Sequence, residues 1–182
     1  VALKTKDAIV DAIRDRCGRR PSVDTRDPDL AVNVHLARNR CTISLDTSGA
    51  GLDKRGYRLA RKEAPLRETL AAAIIGLSGW DGTVPLVDPM CGSGTIPIEA
   101  ALKASRRPPG LTRTGFGFQR WPSFDPGVWQ GLLDEARSRF RDALPAPVIG
   151  SDASAGAIRS ACRNGGRAGV GRLIEFRAGE LN

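Results

Sequence analysis

Hydrophobic and polar positions follow two different periods along this chain, and the switches between them mark out its elements. Ile9, Val10 and Ile13, extended by Cys17, recur at helical spacing and predict a helix over residues 1–20, with Gly18 as its stop signal. Strict alternation over Ala31–Ala37 and Cys41–Leu45, parted by Arg38-Asn39-Arg40, predicts a hairpin with a basic tip. The helical period returns from Pro65 to Leu77, where Leu66, Leu70, Ala73, Ile74 and Leu77 share one face and Pro65 suits the first turn. A short apolar run ending at Asp88 has the pattern of a fully buried strand and gives way to a helix from Ile96 to about Ser105. A helix over Val128–Leu144, burying Trp129, Leu132, Leu133, Ala136 and Phe140, precedes a second buried strand, Val148–Asp152. A helix from Ala153 to about Arg167 and a third strand over Arg172–Arg177 follow. Strands that alternate with helices in this way imply an α/β domain with a parallel sheet.

Charge sharpens this picture. A formal net charge of +8 favours a polyanionic partner, of which nucleic acid is the usual one, although charge speaks to association and not to fold. The run Lys54, Arg55, Arg58, Arg61 and Lys62, interleaved with Tyr57, reads either as a phosphate-contacting segment or as a solvated linker. Phe116, Phe118, Trp121 and Phe124, beside Arg113 and Arg120, read either as a surface that stacks on RNA bases or as a satellite hydrophobic cluster. Cys17, Cys41, Cys91 and Cys162 are scattered with no Cys-x-x-Cys pair, so they form no zinc spacing and no compact disulfide framework. Free thiols, no apolar run long enough for a membrane and no signal-peptide pattern give a cytoplasmic location by default. His35 stands in an alternating strand pattern and reads as structural.

The chemistry concentrates where the first buried strand ends. Asp88-Pro89-Met90-Cys91-Gly92-Ser93-Gly94-Thr95 joins strand to helix through a Gly-x-Gly turn. Such a turn brings backbone close to a ligand and offers it the free N–H groups of a helix N-terminus. A phosphate-binding loop would need Lys-Ser/Thr after the second glycine, and Thr95-Ile96 stands there. A dinucleotide fingerprint would need a third glycine where Pro97 stands, which disfavours a nicotinamide dehydrogenase. S-adenosylmethionine, with a carboxylate, an ammonium group and a ribose but no pyrophosphate, suits the turn better, with Asp88 toward its positive end. A tight turn with a capping role and no ligand is the plain alternative. Asp152, at the end of the second strand, can accept hydrogen bonds from ribose hydroxyls; it follows Asp88 by 64 positions because residues 105–145 intervene.

Val87–Ala101 resembles motif I of the THUMP-associated class I methyltransferases that act on RNA, particularly the bacterial 23S rRNA guanine-N2 methyltransferases. The likeness continues through Leu45-Asp46-Thr47-Ser48-Gly49, Lys54-Arg55-Gly56-Tyr57-Arg58 and Glu63–Ala73. It extends to Gly115-Phe116-Gly117-Phe118 with Trp121, and to Gly150-Ser151-Asp152, and so covers nearly the whole chain. The resemblance implies the C-terminal part of an α+β THUMP-like RNA-binding domain over 1–46 and a basic interdomain linker over 47–62. The first strands of a Rossmann-like class I methyltransferase fold follow over 63–182. It implies S-adenosyl-L-methionine as cofactor and RNA as partner, with 23S rRNA favoured over tRNA, and no metal. Asp88, Pro89, Cys91, Gly92, Ser93, Gly94 and Thr95 would line the methionine end, with Thr69 projecting from the preceding helix. Asp152 and Ala153 would take the ribose, and Glu180 and Leu181 the adenine, Glu180 replacing the family's aspartate.

The Asn/Asp-Pro-Pro-Tyr loop that orients the target amine in this family is not found in the sequence. No catalytic residue is therefore assigned, the fragment alone is expected to be inactive, and the chain reads as a piece of a longer protein. The implied reaction is methyl transfer to the exocyclic N2 amine of guanine. The competing readings are a tRNA guanine methyltransferase and a non-catalytic RNA-binding protein with a degenerate cofactor pocket.

Overall fold

Parallel strands need helices to cross back over them, and the central elements of this chain are spaced for that purpose. The computed structural model describes residues 2–58 and 66–179. Its elements are α1 (Ala2–Cys17), β1 (Ala31–Ala37), β2 (Arg40–Asp46), α2 (Glu68–Leu77), β3 (Leu86–Asp88), α3 (Thr95–Ala104), α4 (Pro126–Ser138), β4 (Val148–Asp152), α5 (Ala155–Arg167) and β5 (Ile174–Ala178). The chain divides into two units: residues 1–49 with 115–124, and residues 50–114 with 125–182.

In the first unit β1 and β2 pair antiparallel, with Val32 opposite Leu45, Val34 opposite Ile43 and Leu36 opposite Cys41, so one face of the hairpin is an apolar ladder. Arg40 pairs with Ala37 and belongs to the strand, which leaves a two-residue turn. Arg38 and Asn39 both take positive φ, 47° and 62°, as a turn matched to strand twist requires. His35 is exposed on β1. Residues 115–124 also belong here: the Phe116 and Phe118 rings stack at 5.5 Å, and Phe118 meets Phe124 at 5.9 Å. The three phenylalanines are half-buried and spend their faces on one another, which favours the satellite-cluster reading.

In the second unit β3, β4 and β5 form a parallel sheet in that order, with α3 and α5 as its crossovers. The core gathers Ile98, Ala100, Ala101 and Leu102 of α3 with Val148, Val170 and Ile174. Several expectations are corrected. β3 is not fully buried: it pairs on one side only among the described residues, and Val87 is 59% exposed. α2 begins at Glu68, because Arg67 is extended, and it buries Glu68, Ala71 and Ile75 instead of the Leu70/Ile74/Leu77 face. α4 starts on the Asp125 cap and ends at Ser138, well short of Leu144. Its chain leaves the helix so that Phe140 lies under the Arg107 guanidinium, 4.6 Å from its ring centroid, and the Arg141 N–H reaches the Ser105 carbonyl at 2.9 Å. Leu132 is exposed, while Trp129, Leu133, Ala136 and Phe140 are half-buried. α5 starts at Ala155 because Ser154 is its cap, its hydroxyl accepting from the Ala157 N–H.

The basic run after the hairpin is the largest departure. Arg55 is buried against Glu99 of α3, with Nη2 3.2 Å from Oε2 and Nε 3.4 Å from Oε1. The Tyr57 hydroxyl, 1% exposed, donates to Glu99 Oε1 at 3.1 Å. The Arg58 guanidinium donates to the Leu66 carbonyl at 3.2 Å and to Thr95 Oγ1, and faces Glu68 at 3.6 Å. Two of the five cations are thus committed to internal pairs and are not phosphate contacts; Arg61 and Lys62 lie outside the described residues. Burial pushes the Glu99 carboxyl above its usual range even though Arg55 pulls it down, and burial raises the Tyr57 hydroxyl further still.

Removing one partner of a buried pair strands the other. Glu99→Leu is therefore expected to lower stability by about 3–5 kcal/mol in urea unfolding, and Arg55→Met added to it to recover most of the loss.

Candidate functional site

Backbone groups at the ends of three parallel strands must find partners, and one carboxylate supplies two of them. Beyond β3 the Cys91 N–H donates to the Ser151 carbonyl at 2.9 Å, so the turn stays tied to β4. Asp152 Oδ2 then accepts the Gly92 N–H at 2.9 Å, and Oδ1 accepts the Ser154 N–H at 2.8 Å. The Asp152 carbonyl accepts the Gly179 N–H at 3.1 Å, which adds the end of β5. Asp88 Oδ1 accepts the Met90 N–H at 3.2 Å, and Asn164 of α5 donates from Nδ2 to the Ser93 carbonyl at 3.1 Å. α3 then starts on Gly94, whose carbonyl accepts the Ile98 N–H at 2.9 Å.

The two glycines of the turn do different things. Gly94 has φ of 84°, and a Cβ there would stand 2.9 Å from Ala161 Cβ and 3.1 Å from the Phe176 ring. That ring also fills the space a side chain would take at Gly150, 3.0 Å away, and meets Gly165 at 3.4 Å, so Phe176 wedges β4, α3 and α5 together through three glycines. Gly92 has φ of 55°, but nothing lies within 4 Å of its Cβ direction. The turn is packed behind and open in front. That open face, the N-terminus of α3 and the carboxylates of Asp88 and Asp152 fit a ligand with both anionic and cationic groups.

Burial, assisted by the nearby charge of Asp152 and opposed by the Met90 N–H bond, holds the Asp88 carboxyl above the usual carboxylate range. Burial, with Asp88 and Asp152 adding to it, pushes the Cys91 thiol up to about 12. Cys91 is therefore a neutral packing group and not a nucleophile. Among the described residues no group of His, Cys, Asp and Glu could hold a metal ion.

The structure brings Asp88, Pro89, Cys91, Gly92, Ser93, Gly94, Thr95, Asp152 and Ala153 to one end of the sheet. Thr69 sits half-buried in the first turn of α2, beside the buried Glu68. Glu180 and Leu181 lie outside the described residues. Sequence reasoning missed Asn164 and Phe176, which hold the turn, and Glu99, which anchors the helix after it, and it read Arg58 as a phosphate contact or linker residue. Glu99 had a signal, since a carboxylate within the apolar run Ile96–Leu102 demands a buried partner. Phe176 had none, because its neighbours come from three separate elements.

Gly92→Ala should cost only the left-handed backbone, about 1–2 kcal/mol. Gly94→Ala should cost the same plus about 1–3 kcal/mol of overpacking. Thermal unfolding of the two variants side by side checks the order.

Over residues 55–182 the sequence matches the family described as RMKL-like, methyltransferase domain, and residues 1–46 match the THUMP domain. A protein of Synechocystis sp. (strain ATCC 27184 / PCC 6803 / Kazusa), named "Putative RNA methyltransferase slr0064", is 46% identical over 175 residues, which span 96% of this chain and 46% of that protein. The crystal structure of a "predicted N6-adenine-specific DNA methylase" from Listeria monocytogenes str. 4b F2365 superposes with a TM-score of 0.84 at 39% identity, covering 96% of this chain and 46% of that one. The structure of SMU.472, "a putative methyltransferase complexed with SAH", superposes with a TM-score of 0.81 at 32% identity, covering 97% and 46%. The chain thus spans about half the length of the relatives it matches. The methyltransferase-domain match covers well over half of the chain and follows the THUMP match: the chain belongs, over residues 55–182, to the RMKL-like methyltransferase domain family.

Proposed function

We propose that this chain is the cofactor-binding part of an S-adenosylmethionine-dependent RNA methyltransferase that modifies the exocyclic N2 amine of guanine, with 23S rRNA as the favoured target. The observation that carries the reading is the open Gly92 face set between the carboxylates of Asp88 and Asp152 at the ends of two parallel strands. The cofactor supplies an electrophilic methyl group when bound. The turn Cys91–Thr95 and the α3 N-terminus would receive its methionine carboxylate, Asp88 would face its positive end, and Asp152 and Ala153 the ribose. Each Asp152 oxygen already accepts one backbone N–H and keeps a further lone pair for a ribose hydroxyl. Thr69 would border the methionine end, and Glu180 and Leu181 the adenine. The THUMP match and the RNA methyltransferase name of the Synechocystis relative favour RNA over the DNA named for the Listeria relative.

Calorimetric titration with S-adenosylhomocysteine tests the pocket. Saturable binding is expected, weakened about ten-fold or more by Asp152→Ala in a chain whose melting shows it still folded. Folded wild-type chain that takes up no heat would sink the cofactor reading. Because the Asp88 carboxyl titrates above the usual range, affinity should fall on acidification before ordinary carboxylates protonate, and Asp88→Asn should remove that step. For the target, nucleosides from a strain lacking the gene are compared with wild type by mass spectrometry. Loss of N2-methylguanosine from 23S rRNA is expected; loss from tRNA moves the target, and loss of N6-methyladenine from DNA overturns the RNA reading.

A further inference from the structure

The chain passes between its two units three times, at 49/50, 114/115 and 124/125. Two domains in series need one passage. The other two arise because Gly115–Phe124, lying in sequence between elements of the methyltransferase unit, folds with the unit that carries the THUMP match.

Its retention there is built from several contacts. Arg120 Nη1 lies 2.9 Å from Asp27 Oδ1, and Nε 3.8 Å from Asp29 Oδ1. Arg120 Nη2 donates to the Pro28 carbonyl at 2.7 Å, and Trp121 Nε1 to the Asp29 carbonyl at 3.1 Å. Exposed ion pairs alone are weak, but these donors meet carbonyls on a loop that is already shaped. Asp24 Oδ1 accepts the N–H groups of Arg26 and Asp27 at 2.7 and 3.0 Å and so bends the loop toward Pro28 and Asp29. At the other end of the excursion the backbones of Gly117 and Gly49 nearly touch: a Cβ on Gly117 would stand 3.0 Å from the Gly49 nitrogen and 3.3 Å from the Thr47 oxygen. The Phe118 N–H donates to that same Thr47 oxygen at 3.0 Å.

We propose that Arg120 and Trp121 are positioning residues for RNA: they latch the Gly115–Phe124 excursion into the THUMP-bearing unit, so that RNA engaged by one unit meets the other at raised effective concentration. The inference rests on the RNA reading above. A single flexible passage leaves the second engagement to chance encounter, whereas additional ties restrict the space searched and raise avidity without a new contact to RNA. Arg120 is spent on Asp27, Asp29 and Pro28, and its role is to hold the excursion and not to neutralise a phosphate.

Two variants test this: Arg120→Ala/Trp121→Phe, which removes the latch donors, and Gly117→Val, which wedges the excursion away from Gly49 and changes no charge. For each, affinity for in vitro transcribed 23S rRNA is measured at one fixed salt concentration, with S-adenosylhomocysteine affinity and amide hydrogen exchange alongside. Both variants are expected to speed exchange in 24–30 and in 115–124 together and to weaken RNA binding about ten-fold. S-adenosylhomocysteine affinity should stay within about two-fold, and Arg120→Lys should restore part of the RNA affinity. Unchanged exchange, faster exchange with unchanged RNA affinity, or a parallel fall in both affinities would each overturn the latch. A loss confined to the Arg120 variant would identify a plain phosphate contact and overturn it as well. Wild-type chain that fails to bind RNA at all fails the RNA reading itself, a result distinct from undiminished binding by the variants.

Discussion

The Asp152 carboxylate is the constraint on which the site depends. Strand β4 ends there, and its two oxygens hold the Gly92 and Ser154 N–H groups while its carbonyl holds Gly179. Turns at the C-terminal ends of parallel strands have no ladder to satisfy them, and an orphaned buried N–H costs about 1–3 kcal/mol. A carboxylate placed centrally satisfies the part-buried Gly92 N–H and the exposed Ser154 N–H together. Under the proposed reading the same carboxylate also faces the ribose, so one side chain would serve both the turn and the cofactor.

Behind that carboxylate, position is set by volume. Phe176 fits because Gly94, Gly150 and Gly165 are small, and the ring in turn forbids a side chain at Gly94. Interiors packed to crystal-like density do not adjust continuously, so the turn has one resting place. Gly92, with the same sign of φ and no neighbour in its Cβ direction, marks the side where that density stops. Two glycines spaced by one residue are alike in the sequence, and only the packing tells the structural one from the one that faces solvent.

The parallel strands, the helix after the turn and the carboxylates that end β3 and β4 were legible because each is local. β-branched runs, a glycine pair and a first-turn Pro97 state their roles within a few residues. What was not legible was non-local. The Arg55–Glu99 pair and the Arg58–Thr95 hydrogen bond join positions far apart in the chain, so a buried network reads as a basic linker when taken one segment at a time. The aromatic segment was equally ambiguous, since whether Phe116 and Phe118 face each other or a base depends on backbone near Thr47 and Gly49 that no spacing rule reaches.

α2 shows how such a network can invert a pattern. Hydrophobic periodicity assigns Leu70, Ile74 and Leu77 to the core, yet these are exposed and Glu68 is buried beside Ala71 and Ile75. A charged residue turns inward only when its desolvation is offset, and here the Arg58 guanidinium faces Glu68 while also donating to Thr95 at the start of α3. The rotation of α2 is therefore set by the pair and not by the stripe. Leu70, Ile74 and Leu77 are left outward, and Val84 and Val87 are exposed as well. In this unit the buried charges that tie α2 to the start of α3 decide which hydrophobic residues of α2 point outward.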